Sequence, residues 1–129
     1  MTATPFLMFQ GGVCEAAIDL YVATLPDSRL VTLQRHAEGP AAGTVAMARI
    51  VIAGLEVMAN DSPIPHAFDF TPSLSLFVDL DTEAEVDRIA GALSEGGKVL
   101  MAVGDYGFSK RFAWVADRFG VSWQLNLPS

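Results

Sequence analysis

The sequence predicts an α+β fold in which two β-α-β-β-β repeats form curved mixed sheets. The segment Glu15-Ala16-Ala17-Ile18-Asp19 recurs about half the chain later as Glu83-Ala84-Glu85-Val86-Asp87. Each copy follows a short strand-like run and precedes a turn signal and three further strand-like runs. Because a repeated unit that cannot bury its own apolar face packs on its twin, we expect two cupped sheets with room for a small molecule.

The first repeat is predicted over about residues 4–62. Its opening strand, Pro5–Phe9, ends at Gly11-Gly12. A helix from about Val13 to Leu25 follows, because apolar residues recur there at helical spacing, and Pro26-Asp27-Ser28 ends it. Three strands joined by a glycine-rich loop and a tight turn complete the repeat: Arg29–Arg35, Thr44–Ile52 and Leu55–Asn60.

A proline-rich linker is expected over about residues 61–72, and the second repeat over about 73–127, within a single domain of residues 1–129. A strand at Ser73–Leu80 opens this repeat. Thr82 and Glu85 form the pattern of a capping box for the second helix, which Gly96-Gly97 ends. Three strands follow: Lys98–Val103, Arg111–Asp117 and Val121–Leu127.

Alternation along the strands predicts which face of each sheet is buried. In the last strand, Trp123 and Leu125 point to one face while Gln124 and Asn126 point to the other. We expect the apolar faces to pack under the helices. The mixed faces, which carry Phe, Met, Ser, Gln and Glu, are expected to line a concave space suited to a small ligand, although a solvated sheet face has the same pattern.

Composition and charge exclude several function classes. The formal net charge is −7 and the eight Lys and Arg residues are scattered, so no nucleic-acid partner is expected. Cys14 is the only cysteine, which favours a cytoplasmic protein without a disulfide. The N-terminus lacks the features of a signal peptide, and the apolar run Val45–Leu55 is too short for a bilayer, so no membrane association is expected.

These features resemble the vicinal oxygen chelate superfamily, which includes glyoxalase I and extradiol dioxygenases, and most closely its PhnB-like branch, labelled 3-demethylubiquinone-9 3-methyltransferase-like. The resemblance implies a paired β-α-β-β-β fold, a homodimer and a pocket inside each curved sheet. The resemblance covers nearly the whole chain, and its most specific segment is Asp117–Gln124. The other segments that carry it are Pro5–Phe9, Glu15–Tyr21, Leu25–Ser28, Asp61–Pro63, Leu74–Val78, Glu85–Asp87 and Leu93–Gly97.

The resemblance also locates four candidate metal positions. Superfamily enzymes hold a divalent metal with His, Gln or Glu from the first and fourth strands of each half. The matching positions here are Phe6 or Thr4, Glu56, Ser73 or Ser75, and Gln124. Of these, only Glu56 and Gln124 are side chains of the usual ligand types. Two oxygens without an imidazole or thiolate make a poor site for zinc or iron, so we predict no catalytic metal and no cofactor.

The expected function is binding of a small organic molecule, and the sequence leaves open whether catalysis follows. No glycine pair gives the G-x-G-x-x-G pattern, so a methyl-donor site is not supported. A metal-dependent lyase, isomerase or dioxygenase with atypical ligands and a non-catalytic structural dimer are the alternatives. The predicted ligand-binding residues are Phe6, Met8, Glu56, Met58, Ser73, Ser75 and Gln124.

Several single residues have two interpretations. Cys14 fits a buried small side chain better than a nucleophile, since no base lies near it in sequence. His66 is either an exposed loop residue or a group above the pocket. Tyr106 and Phe108 belong to either a lid or a hairpin cap. Trp114 and Trp123 are expected in the core or a dimer interface.

Overall fold

The computed structural model describes all residues 1–129, which form two compact units that divide between Phe68 and Asp69. This boundary lies inside the predicted linker. No helix is both long enough and apolar enough to cross a bilayer. The elements of the first unit are β1 (Phe6–Phe9), α1 (Cys14–Thr24), β2 (Arg29–Arg35), β3 (Val45–Ile52) and β4 (Leu55–Asp61). Those of the second unit are β5 (Ser75–Asp79), α2 (Glu83–Ser94), β6 (Lys98–Gly104), β7 (Arg111–Ala116) and β8 (Ser122–Leu127).

The two units have the same sheet topology. The strand orders are β1-β4-β3-β2 and β5-β8-β7-β6. In each sheet the first strand runs parallel to the fourth, and the other pairs are antiparallel. The predicted α+β fold, with two β-α-β-β-β repeats forming mixed sheets, is therefore confirmed.

The predicted element bounds need one correction that affects the site. β5 begins at Ser75, not at Ser73. The Ser73 N–H bonds to Thr71 Oγ1 at 3.4 Å, and the two hydroxyls lie 2.6 Å apart. Ser73 therefore belongs to a local turn after Pro72, where bonds within the segment replace pairing with a neighbouring strand.

One helix covers one face of each sheet. In the first unit the apolar side chains on the α1 side, including Phe9, Ile50 and Val57, are buried together with Tyr21 of the helix. In the second unit Trp123, Leu125 and Val115 are buried with Ile89 and Leu93 of α2. Burying one Leu-sized side chain in this way stabilises the fold by about 1.5–3 kcal/mol.

The two helices begin differently. Thr82 Oγ1 accepts the Glu85 N–H at 3.1 Å, which confirms Thr82 as the predicted cap. The Glu85 side chain accepts the Asp81 N–H at 3.1 Å, one residue before the position that a standard capping box uses. At α1 the N-cap residue, Val13, has no side-chain cap. The first helical N–H, that of Cys14, instead donates to the buried carboxylate of Asp61 at 2.9 Å.

The buried carboxylate of Asp117 holds together the turn and the strand of the segment Asp117–Gln124. Asp117 Oδ1 accepts the N–H groups of Phe119 and Val121 at 2.9 and 3.1 Å, which closes the turn between β7 and β8. Asp117 Oδ2 accepts the indole N–H of Trp123 at 2.9 Å. Because one carboxylate fixes both the turn and the central core ring, it sets the side-chain direction of every residue in β8.

Candidate functional site

The inner face of each unit is defined here as the sheet face opposite its helix. In the second unit the strand register arranges inner-face residues in three cross-strand rows. Trp123 and Leu125 lie on the opposite, helix side and are fully buried. The predicted assignment of the two faces of β8 is therefore correct. The rows are Ser75, Ser122 and Ala116; Phe77, Gln124 and Trp114; and Asp79, Asn126 and Phe112.

The hydroxyls of Ser75 and Ser122, in the first row, and the indole of Trp114, in the second row, form a short hydrogen-bond chain. Trp114 Nε1 donates to Ser122 Oγ at 2.8 Å, and Ser122 Oγ lies 2.7 Å from Ser75 Oγ. Either hydroxyl can be the donor of the bond between Ser122 and Ser75. The arrangement in which Ser122 donates leaves the Ser75 proton for another acceptor.

Gln124 lies at the centre of this face, between Phe77 and Trp114. It is half-buried, and its side-chain amide makes no hydrogen bond within the chain. An amide carries two donors and an acceptor. Gln124 therefore presents unused hydrogen-bonding groups between two aromatic side chains.

Aromatic rings cover one end of the same face. Phe112 is almost fully buried, with its ring centroid 4.9 Å from that of Phe108 and 6.3 Å from that of Phe77. Tyr106 meets Phe112 edge-on at 6.1 Å, and its hydroxyl donates to Ala102 O at 2.5 Å. The Tyr106–Phe108 loop thus packs on the inner face and also closes the β6–β7 hairpin.

Asn126 ends the third row with an unsatisfied acceptor. Its Nδ2 donates to Asp79 Oδ1 at 2.8 Å, whereas its buried Oδ1 has no partner. Asn60 of β4 has the same unsatisfied Oδ1. Both asparagines lie six residues after the glycine of the preceding turn, Gly54 or Gly120, so they occupy the same position in the two repeats.

The inner face of the first unit is lined differently. Phe6 pairs with Met58, which pairs in turn with Arg49 of β3, and Met8 pairs with Asn60. Arg49 Nη1 contacts Glu56 Oε1 at 2.8 Å, with both side chains about half exposed. Glu56 therefore has a partner within its own sheet, and a solvent-exposed pair of this kind contributes little to stability.

Register also shows which positions of the two repeats correspond. Phe6 pairs with Met58, as Phe77 pairs with Gln124. The counterpart of Gln124 is therefore Met58, and the counterpart of Glu56 is Ser122. The inner-face positions of the first and fourth strands thus offer thioether, phenyl, hydroxyl and amide groups, with one carboxylate in each unit, that of Glu56 and that of Asp79.

This donor set does not fit a transition-metal centre. No group of three or more His, Cys, Asp or Glu side chains is close enough to hold a metal ion. Zinc and iron sites are built from imidazole, thiolate and carboxylate ligands. Neither histidine lies on an inner face: His36 Nε2 lies 2.9 Å from the backbone oxygen of Asp61, and His66 belongs to the linker.

The linker histidine is held by local contacts. His66 Nε2 lies 2.8 Å from Ser62 Oγ, and its ring stacks on Phe68 with centroids 4.8 Å apart. Gln10, which directly follows β1, accepts the His66 N–H at 2.7 Å and donates to Phe68 O at 2.7 Å. His66 therefore helps to fix the linker against β1.

Cys14 is buried, as predicted for a small core side chain. Burial, together with the negative charges of Asp61 and Glu15, raises the pKa of its thiol to about 12. A thiol that stays protonated is a poor nucleophile, so Cys14 has no catalytic environment.

Of the predicted site residues, Ser75 and Gln124 lie on the second inner face, and Phe6, Met8 and Met58 on the first. Ser73 lies outside the sheet, and Glu56 is paired with Arg49. The prediction omitted residues contributed by β5, β7 and the end of β8. The omitted residues are Phe77, Asp79, Phe112, Trp114 and Asn126. Side-chain alternation within β5, β7 and β8 is the sequence signal for them, since every second residue of each strand faces the same side.

Comparison with known proteins places this geometry in a family. A family model described as 3-demethylubiquinone-9 3-methyltransferase matches residues 1–126. The PhnB protein from Bacillus cereus is 41% identical with a TM-score of 0.90, covering 98% of this chain and 99% of that chain. Protein YjdN of Escherichia coli strain K12 is 29% identical over 142 residues, 98% of this chain and 95% of the relative.

More distant structures share the fold alone. A glyoxylase/bleomycin resistance protein/dioxygenase domain from Frankia sp. EAN1pec is 12% identical with a TM-score of 0.69, covering 100% of this chain and 99% of that chain. The chain belongs to the PhnB-like 3-demethylubiquinone-9 3-methyltransferase family, which has the vicinal oxygen chelate fold.

Proposed function

We propose that this protein binds a small organic molecule on the inner face of its second unit, without a catalytic transition metal. The observation that carries the proposal is Gln124, a half-buried amide without a partner in the chain, between Phe77 and Trp114. Binding sites typically combine apolar and aromatic walls with a few polar groups that fix orientation. Ser75 and Ser122 supply further hydroxyl groups in the neighbouring row.

The first inner face is a weaker candidate for the same ligand class. Its charged groups, Arg49 and Glu56, already neutralise each other. Phe6, Met8 and Met58 supply apolar and polarisable surface but no directed hydrogen bond. Thioether side chains adapt to many shapes, so this face by itself is expected to bind apolar molecules with little selectivity.

Methyl transfer, named in the family description, finds no support in the residues. Gly11 and Gly12 lie between β1 and α1, where a nucleotide-type cofactor would need free N–H groups at the helix start. Here the Asp61 carboxylate accepts the first helical N–H and places a negative charge at that end. The proposed function therefore extends to binding and does not include a methyl donor.

A homodimeric state and a cytoplasmic location complete the proposal. Large apolar side chains are exposed on both inner faces, among them Phe6 at 46% and Phe77 at 55%, and a second copy of the chain would cover such surface. The single cysteine is buried and unpaired, which fits a reducing compartment. Light scattering coupled to size-exclusion chromatography checks the dimer, and a monomer at micromolar concentration contradicts it.

Native mass spectrometry of protein purified from its host tests the binding proposal. We expect a bound organic molecule that is lost in Gln124→Ala and kept in Met58→Ala, the matched variant at the corresponding position of the first repeat. Both variants should melt within a few degrees of the parent, because both positions are only half-buried.

Three results would contradict this proposal. Retention of the molecule in Gln124→Ala would place the site elsewhere. Loss of soluble protein in that variant would make Gln124 a structural residue. Stoichiometric zinc, iron, nickel or manganese in the purified protein would favour metal-dependent chemistry instead.

A further inference from the structure

We infer that the second inner face selects molecules that carry a primary ammonium group next to an aromatic or other apolar body. This inference rests on the proposed function and names the class of ligand. Its starting point is Asn126, which is only 9% exposed and whose Oδ1 is buried without a hydrogen-bond partner. A buried acceptor without a donor is costly, and such a group calls for a specific explanation.

The neighbouring carboxylate fixes the orientation of the Asn126 amide. Nδ2 donates to Asp79 Oδ1 at 2.8 Å. The opposite orientation would set the amide oxygen against a carboxylate oxygen, with no proton between them. The unsatisfied atom is therefore an acceptor, and its missing partner is a donor.

The carboxylate of Asp79 favours a positively charged donor as the missing partner of Asn126 Oδ1. Its exposed carboxylate lies in the same cross-strand row and keeps a second oxygen beyond the bond to Asn126. Arg111, at the start of β7, lies on the helix side, where its guanidinium contacts Asp87 at 2.6 Å and Glu83 at 3.7 Å. Asp79 therefore has no basic partner in the described contacts of its own unit, and an ammonium group with three donors fits both Asp79 and Asn126.

The apolar part of the ligand has a matching surface. Phe77 is 55% exposed, and its ring lies 6.3 Å from that of Phe112, the cross-strand neighbour of Asn126. Aromatic faces attract both a stacked ring and a cation. A molecule with an ammonium group two or three bonds from an apolar ring can contact Phe77 and the row of Asp79 and Asn126 together.

The Tyr106–Phe108 loop packs on Phe112, which lies beside Asn126 in the third row. Phe112 is 3% exposed because the rings of Tyr106 and Phe108 pack against it. Gly107, between those rings, has a φ of +91°, and glycine adopts such angles at little cost. Displacing the two rings would expose Phe112, so we expect the aromatic loop to shift when a molecule binds beside that ring.

Three matched probes test the ligand class: 2-phenylethylammonium, 2-phenylethanol and 3-phenylpropionate. Each is titrated into ¹⁵N-labelled protein, and the dissociation constant is read from amide shifts in β5 and β8. We expect the ammonium compound to bind at least about tenfold more tightly than the carboxylate, with the alcohol between them.

Two variants locate the charge that is responsible. Asp79→Asn keeps an acceptor for Asn126 Nδ2 and removes the negative charge, so it should bring the ammonium and alcohol affinities to within about threefold of each other. Asp81→Asn removes the same charge two residues later, outside the inner face, and should leave the preference unchanged. Equal losses in both variants would show a general charge effect and overturn the inference.

The inference and the proposed function fail in different ways. Tighter binding of the carboxylate probe at β5 and β8 overturns the ammonium preference and leaves the binding face in place. If no probe shifts these amides but the purified protein carries a molecule that depends on Gln124, the ligand class alone is wrong. If neither probe nor purified molecule engages the face, both are wrong.

Discussion

The two units share one topology but differ in where their stabilising groups come from. α2 begins with a cap supplied three residues away, between Thr82 and Glu85. The N-cap of α1 is Val13, which has no hydroxyl, and Asp61 instead accepts the N–H of the next residue, Cys14, from 47 residues away. The start of the first helix therefore depends on its sheet, whereas the start of the second is encoded locally.

The two inner faces carry different side chains at corresponding positions of the two repeats. Where the first unit has Met58 and Arg49, the second has Gln124 and Trp114. The first face holds adaptable apolar groups around a neutralised ion pair, and the second holds directed polar groups between aromatic rings. A duplicated unit can thus keep its core pattern while the two faces away from the helices take different roles.

The largest expected difference between the units concerns the core residue at the centre of the fourth strand. Trp123→Ala should lower the free energy of unfolding by about 3–5 kcal/mol, because a fully buried ring and its bond to Asp117 are lost. Val57→Ala, at the corresponding position, removes much less volume and should cost about 2 kcal/mol. Urea denaturation measures both, and equal losses would show that the two cores do not differ as described.

Removing the Asp61 carboxylate from the start of α1, or the Thr82 hydroxyl from the start of α2, should show how much each helix start depends on a distant or a neighbouring residue. Asp61→Ala leaves the N–H groups of Cys14 and Val45 without their carboxylate, and each lost buried partner costs about 1–3 kcal/mol. Thr82→Ala should cost about 1 kcal/mol, the usual value for an N-cap. Hydrogen exchange should accelerate in the first turn of α1 and in β3 for the first variant, and in the first turn of α2 alone for the second.

A glycine in the second unit makes a contact that tolerates no side chain. A Cβ at Gly97 would lie 2.1 Å from the backbone oxygen of Ala116, so Gly97→Ala should destabilise the protein by about 1–3 kcal/mol. Gly91→Ala is the control, because its Cβ meets nothing within 4 Å in the middle of α2, and it should stabilise by up to about 1 kcal/mol. A loss of stability in Gly91→Ala would contradict this placement.

The smallest expected effect at neutral pH concerns Cys14. Its folded-state pKa, about 12, is above the ordinary 9.0, so its contribution is fully present below pH 9. That contribution falls between pH 9 and 12, by at most about 1.4 kcal/mol per pH unit. At pH 8 a thiol reagent should label the native protein far more slowly than the urea-unfolded chain, and Cys14→Ala should flatten the alkaline decline in stability. Rapid labelling of the native protein would contradict the burial.

The sequence predicted most of the fold because its signals are local. The recurring segment, the strand alternation and the Thr82 helix cap each involve neighbouring residues, and the structure confirms them. The roles of Asp61 and Asp117 were not predicted, since each carboxylate contacts atoms that only the folded sheet brings close. Ser73 was assigned to a strand because alternation continues through it, whereas its bonds to Thr71 end the pairing at Ser75.

The candidate site was predicted in part for the same reason. Gln124 and Ser75 follow from alternation in single strands. The ion pair of Glu56 with Arg49 and the aromatic row around Phe112 depend on cross-strand register, which a single strand pattern does not provide. The unsatisfied oxygens of Asn60 and Asn126 are a property of packing and have no signal in the sequence.

A crystal structure of the protein with the molecule that co-purifies with it tests the central claim most directly. The account predicts density on the second inner face, in contact with Phe77 and Gln124 and with a donor within hydrogen-bond distance of Asn126. Density only in the groove between α2 and β6, where Ala90, Val99 and Met101 lie, would contradict it.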